Sequence, residues 1–259
     1  MILHLSEILS RAVEQSLEDR VAISFSGGLD STVIAAIAKK HANVELFSAG
    51  VEGSEDLHYA QKAASALGLP LTVIPIDEKA ALEAYKRCYA ALPMDFLKVE
   101  ILVPVFFVAA EAAKKGHSTL LFGSAAEELF VGYERYYVYK DEGKNLDSIL
   151  EEEFRTLPQR DLAWVKKICR LFNVDARFPL YNKDLAKLMF SVPLEERMDD
   201  RELKKGVLRE AGKMLGAPDI VLKRKKKAMQ YGSGVHKMLI RHVDEINKNY
   251  PADNAFSLR

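Results

Sequence analysis

Cysteine is almost missing from this chain: Cys88 and Cys169 are the two in 259 residues. Two cysteines make no disulfide framework, and without a Cys-x-x-Cys pair there is no zinc knuckle or dithiol redox centre to expect. The six histidines are scattered without metal-ligand spacing, which gives a His-based metal site no support. An excess of either charge is missing too, since 37 Lys+Arg balance 37 Asp+Glu. A general nucleic-acid binder is usually clearly basic, so nucleic acid is not the expected partner. The longest apolar run, near Ile101 to Ala113, is interrupted by Pro104 and Glu111 and falls short of the roughly 20 residues a membrane helix needs. Nor is there a signal peptide: Met1-Ile2-Leu3-His4-Leu5-Ser6-Glu7 has no basic n-region, and an acid arrives where apolar residues should continue. The expectation is a cytoplasmic protein with two reduced thiols and no membrane contact.

What remains is an ordinary globular composition, 49% apolar and 29% charged, long enough to bury a core. Residues 5–18 have the spacing of an amphipathic helix, with Ser6 as its expected N-cap. Val21 to Phe25 is a short apolar strand, and residues 31–41 return to helical spacing. Val44 to Ala49 gives a second strand, Ser54 opens a second crossover helix, and Leu71 to Ile76 gives a third strand. Pro75 marks that third strand for a sheet edge. Helical stretches near 79–92 and 99–115 lead to a fourth strand, Thr119 to Phe122. Strands alternating with helices imply an α/β fold with a parallel sheet covered on both faces. Beyond residue 145 strand signals vanish, and helices are expected near 146–155, 159–172, 183–190, 200–215 and 235–248. No repeat or long linker divides the chain. The reading is one domain over 1–259, an α/β nucleotide-binding core at 1–140 with a helical part at 141–259 packed on it.

In such a sheet, ligands bind beyond the carboxyl ends of the strands. The loop Ser26-Gly27-Gly28-Leu29-Asp30-Ser31 lies there, between the first strand and the helix that follows. Its glycines let the backbone turn and approach a phosphate, and the helix N-terminus supplies N–H donors. Ser26, Ser31 and Thr32 add hydroxyls. Asp30 would repel polyphosphate unless a cation lay between, so Asp30 is a candidate Mg2+ ligand. The competing reading is an ordinary Gly-Gly turn with Asp30 capping a helix. The Walker spacing Gly-x-x-x-x-Gly-Lys-Ser/Thr is absent.

This loop resembles that of the N-type ATP pyrophosphatases, whose fold is called adenine-nucleotide α-hydrolase-like. Further blocks resemble the asparagine synthetase family in particular. Leu121-Phe122-Gly123-Ser124-Ala125-Ala126-Glu127-Glu128-Leu129-Phe130-Val131-Gly132-Tyr133 is similar to its second signature. Gly53-Ser54-Glu55-Asp56, Val174 to Leu180, Lys205-Gly206-Val207-Leu208-Arg209-Glu210-Ala211, and Arg224 to Met229 followed by Gly232 and Gly234 complete the series. The blocks keep the family's order over residues 20 to 235. The resemblance implies an ATP-dependent ligase that adenylates a carboxylic acid, releases pyrophosphate, and forms an amide with ammonia or an amine. Carried over, ATP would meet Ser24, Ser26, Gly27, Gly28, Asp30, Ser31 and Thr32, with Gly123 and the strand end at Ala49 against adenosine. Asp30 and Glu127 would share Mg2+, glutamate replacing the family's aspartate at 127. Lys226 would neutralise the leaving pyrophosphate. Bland roles compete: Glu127 and Glu128 as helix N-terminal charges, Lys223 to Lys227 as a solvated face, Asp175 and Arg177 as an ion pair, and Tyr133, Tyr136, Tyr137 and Tyr139 as packing.

The sequence departs from the family at Ser124, where the family has a glutamate assigned to amide formation. A serine cannot take a proton from ammonium at neutral pH. Ala125 replaces a glycine, and Lys166 stands near a usual Asp or Asn. The family's glutaminase domain, with a cysteine directly after the initiator methionine, has no counterpart here because Ile2 follows Met1. The nitrogen source is then free ammonia, another amine, or a separate glutaminase subunit, and a homo-oligomer is open. The acid is aspartate or another carboxylate. Two other readings stand: a tRNA-modifying ATP pyrophosphatase, and a non-catalytic ATP/AMP-binding regulatory subunit.

Overall fold

The computed structural model describes residues 1–225 and 229–251. Its sheet has five strands, all parallel, in the order β3-β2-β1-β4-β5. They are β1 (Arg20–Ser24), β2 (Asn43–Gly50), β3 (Leu71–Pro75), β4 (Thr119–Leu121) and β5 (Asp175–Arg177). The inner strands bury nearly every residue, because helices cover both faces and leave no solvent side to alternate with. α1 (Ile2–Glu14), α2 (Leu29–Ala38) and α3 (Glu55–Leu67) share one core with Val21, Ile23 and Leu46. α4 (Glu78–Ala91), α5 (Phe96–Glu100) and α6 (Leu102–Lys114) form the other, on Ala22, Phe47 and Leu120. Chain order reverses between β1 and β4, so their carboxyl ends, Ser24 and Leu121, open onto one crevice.

The structure has the parallel α/β sheet that the strand pattern implies and the adenine-nucleotide α-hydrolase-like fold that the resemblance implies, with Pro75 on the edge strand β3. It also corrects several boundaries. Ser6 is no N-cap: α1 starts at Ile2, and the Ser6 hydroxyl donates to the Ile2 carbonyl inside the helix at 3.0 Å. A strand does exist beyond residue 145, since β5 pairs with β4 through Asp175, Ala176 and Arg177. Three residues with two charges carry no apolar signal, and pairing with β4 creates that strand. The expected 99–115 helix is interrupted at Ile101, giving α5 and α6. The expected 200–215 helix begins only at Gly206, because Lys204 and Lys205 are left-handed. Glycine is needed at 206, where a Cβ would lie 2.3 Å from an Asp199 carboxyl oxygen. That helix, Gly206–Leu215, packs on α1 and α2. Both cysteines are free and buried, and burial pushes each thiol up to about 12. Among the described residues no helix is long and apolar enough to cross a membrane.

Candidate active site

A cavity of about 410 Å³ sits at the β1/β4 crevice. The glycine loop forms its floor. Gly27 turns with φ +65°, and a Cβ there would lie 2.4 Å from the Tyr59 backbone, so glycine is needed for both the turn and the close approach. Gly28 then N-caps α2, and Asp30 falls in the first turn, where the helix dipole favours a carboxylate. Across the crevice Gly123 leaves room for Asp30, since a Cβ there would lie 2.8 Å from the Asp30 Cβ. The chain then rises through the short helix Ala126–Leu129, which carries Glu127.

Between these two carboxylates sits Lys205. Its ammonium donates to both Asp30 oxygens at 2.8 and 2.7 Å and to Glu127 Oε1 at 2.8 Å. The Lys205 side chain is 3% exposed. Burial alone would push its amine down, but the Asp30 and Glu127 charges outweigh that and hold it above the usual lysine value. The backbone around this triad is strained. Ala125 (φ 78°), Val131 (φ 52°), Lys204 (φ 56°) and Lys205 (φ 58°) are four of the five left-handed non-glycine residues among those described. Such residues cost roughly 1–3 kcal/mol each and persist where surrounding structure enforces them. At Lys204 and Lys205 Arg209 does so, its guanidinium donating to the carbonyls of Leu203, Lys204, Val221, Leu222 and Arg224. Arg224 continues the brace, donating to the Ser26 carbonyl at 2.8 Å and to Asp56 at 2.6 Å while stacking on Tyr59.

The far wall holds Glu128, Tyr133, Arg135, Asp161 and Trp164. Glu128 is buried, and burial, reinforced by the Glu127 charge, raises its carboxyl to about 7. Arg135 stacks on Tyr133 and pairs with Glu153 at 2.6 Å.

Of the residues expected to hold nucleotide and metal, Ser24, Ser26, Gly28, Asp30, Ser31, Ala49, Gly123 and Glu127 all line the cavity. Gly27 and Thr32 do not line it. Gly27 packs on α3, and Thr32 is fully buried with its hydroxyl unpaired among the described residues. Lys226 lies outside the described residues. Asp175 pairs with Arg177 at 2.9 Å, so that reading as an ion pair holds. Tyr136 and Tyr137 pack in a small core, whereas Tyr133 lines the cavity. Sequence reasoning gave no role to Lys205, Arg209 or Trp164. Lys205 and Arg209 lay inside a recognised block, and Trp164, the single tryptophan, carried no spacing signal.

The asparagine synthase family pattern matches residues 4–151 and 140–256, nearly the whole chain. The chain belongs to the asparagine synthase family. A putative glutamine-hydrolysing asparagine synthetase of Methanocaldococcus jannaschii is 29% identical over 91% of this chain and 51% of its own length. Asparagine synthetase B of Escherichia coli is 24% identical over 95% of this chain and 48% of its own. The chain therefore spans about half the length of these relatives. Among solved structures, NMN synthetase from Francisella tularensis shares the fold at TM-score 0.51 and 15% identity, covering 98% of this chain and 89% of its own. The family implies Mg2+ with ATP. Two hard carboxylate oxygen donors facing each other from two strand ends fit that ion, which usually takes one or two protein carboxylates and completes its shell with phosphates and water. Among the described residues no cluster of three or more His, Cys, Asp or Glu offers an all-protein metal cage.

Proposed function

We propose that this protein is an ATP-dependent, AMP-forming amide ligase of the asparagine synthetase type. The observation that supports it best is the convergence in one cavity of the glycine loop with Asp30 and Glu127, two carboxylates paired across one buried ammonium. The triphosphate lies along the Ser26–Ser31 loop, where backbone N–H groups and the α2 N-terminus face its charge. Asp30 and Glu127 would hold Mg2+, which would supply positive charge against the phosphate oxygens. Lys226, from the basic segment, binds that leaving group. Adenosine extends toward Ala49 and Gly123.

A carboxylate oxygen of the acid attacks the α-phosphorus, and the bond to pyrophosphate breaks. An amine nitrogen then attacks the acyl carbon, AMP leaves with the bonding electrons, and the nitrogen gives up a proton. The acid and the amine occupy the wall of Glu128, Tyr133, Arg135, Asp161 and Trp164. Ser124 lines the same cavity at the sequence position of the family's glutamate, and aspartate is the first acid to test. Ser124 also favours one second reading, a regulatory subunit that binds ATP or AMP without turnover.

The test is pyrophosphate release from Mg·ATP with aspartate and ammonium, each omitted in turn. Release that needs aspartate, with asparagine formed only when ammonium is present, supports the ligase. Nucleotide binding without release for any carboxylic acid in a panel would overturn it in favour of the regulatory reading. Release that depends on tRNA would redirect it to a tRNA-modifying pyrophosphatase.

A further inference from the structure

The Lys205 ammonium occupies the place that a cation bridging Asp30 and Glu127 would take. It touches both carboxylates at hydrogen-bond distance and so fills the position between them. On the Gly132 side the pair is closed in, because a Cβ there would lie 1.9 Å from Glu127 Oε2 and 2.3 Å from Lys205 Cε. The lysine backbone cannot retreat, because Arg209 holds the Leu203 and Lys204 carbonyls and Lys205 itself starts the Gly206–Leu215 helix. Only the side chain is left to move. A free Mg2+ ion would have to shed water, which it does reluctantly, and drive a buried ammonium off two carboxylates. A metal arriving on a triphosphate brings anionic oxygens that take up the displaced ammonium.

We propose that Lys205 is a resident cation that keeps divalent metal off the Asp30–Glu127 pair until nucleotide arrives, so that metal enters only as its ATP complex. This rests on the reading of the cavity as an ATP site. The mechanism needs no change in the net charge of the side chains. One monovalent cation is exchanged for one divalent cation, and the nucleotide phosphates supply the added negative charge.

The experiment compares Mn2+ binding without nucleotide, by electron paramagnetic resonance, in the wild type, Lys205→Met and Lys205→Gln. Both variants should bind Mn2+ at least tenfold more tightly than the wild type, and Asp30→Asn added to Lys205→Met should abolish the gain. The wild type should acquire comparable Mn2+ affinity only with α,β-methylene-ATP present. Wild-type binding as tight as that of the variants in the absence of nucleotide overturns the proposal. So does a folded Lys205→Met protein that gains nothing. Should neither variant fold, the wild type still decides. Its Lys205 Cε signal, assigned as the one missing from Lys205→Arg, should shift with Mg2+ plus α,β-methylene-ATP and stay fixed with Mg2+ alone. A shift with Mg2+ alone overturns the proposal. If α,β-methylene-ATP leaves Trp164 fluorescence unchanged, the nucleotide reading fails, while the nucleotide-free comparison still tests whether Lys205 excludes metal.

Discussion

Two glutamates show how neighbours set the sign of a residue's effect. Glu45 on β2 accepts hydrogen bonds from Lys115, from Thr72 at 2.7 Å and from His117 at 3.1 Å. Burial pulls its carboxyl up, but these donors outweigh it and hold the group at about 2. A lowered carboxyl stabilises the fold above its ordinary value near 4.5 and loses that contribution as pH falls toward 2. Glu45→Gln should therefore cost about 2 kcal/mol at pH 7, trimmed by solvent at the half-exposed Lys115, with the difference fading by pH 2–3 in urea titrations. Glu128 is the reverse case. Raised to about 7, it binds its proton more tightly in the folded state, so stability declines as pH rises from about 4.5 through 7. Glu128→Gln should flatten that decline and be more stable than the wild type by about 2 kcal/mol at pH 8, measured without metal or nucleotide. Asp30 and Glu127, which both line the cavity, could be singled out because one sits in the glycine loop and the other in a block that resembles the family's second signature. Lys205 was not, because its partners lie 175 and 78 residues away in sequence, and no local pattern encodes that meeting.

Among elements, the best-read ones were those whose sequence carries their own signal. The apolar strands β1 and β2 and the crossover helix α3 were found from periodicity, because burial on both faces or on one stripe writes itself into the residues. The helix Glu134–Asp141 was missed: Tyr136 and Tyr137 are buried beside charged neighbours, and no clear apolar stripe forms. The turn at Lys204–Lys205 was also read wrongly, as helix, since lysine is a good helix former and tertiary contacts overrode that preference. Arg209 supplies much of that override. It joins two backbone segments, 203–204 and 221–224, through carbonyls alone, so its loss would free the Lys204–Lys205 turn and the approach to Arg224 together. Arg209→Ala should cost about 3 kcal/mol of stability and weaken Mg·ATP binding more than tenfold, read by unfolding and by Trp164 fluorescence. A variant that loses stability but binds Mg·ATP normally would show that Arg209 braces the fold without positioning the site.

At the scale of the molecule, the sheet order places the glycine loop of β1 beside the signature that follows β4, and the C-terminal segment returns to close the same end. Val51 donates to the Ser233 carbonyl at 2.8 Å, Arg224 reaches Ser26 and Asp56, and His236 contacts the buried Glu100 at 2.9 Å. The cavity is thus assembled from residues 24 to 225, and its formation is tied to the folding of nearly the whole chain. A ligand that binds this cavity must therefore stabilise the molecule as a unit. At a hundredfold excess over its dissociation constant, Mg·ATP should add about 2.7 kcal/mol, which for a chain of this size raises the melting temperature by roughly 5–10 °C. EDTA should remove most of that shift, because without a divalent cation the triphosphate meets the negative charge of the Asp30 and Glu127 carboxylates, between which Lys205 supplies a single positive charge. Full protection by ATP in EDTA would mean that the carboxylate pair needs no divalent metal to accept the nucleotide, and that Lys205 and its neighbours suffice.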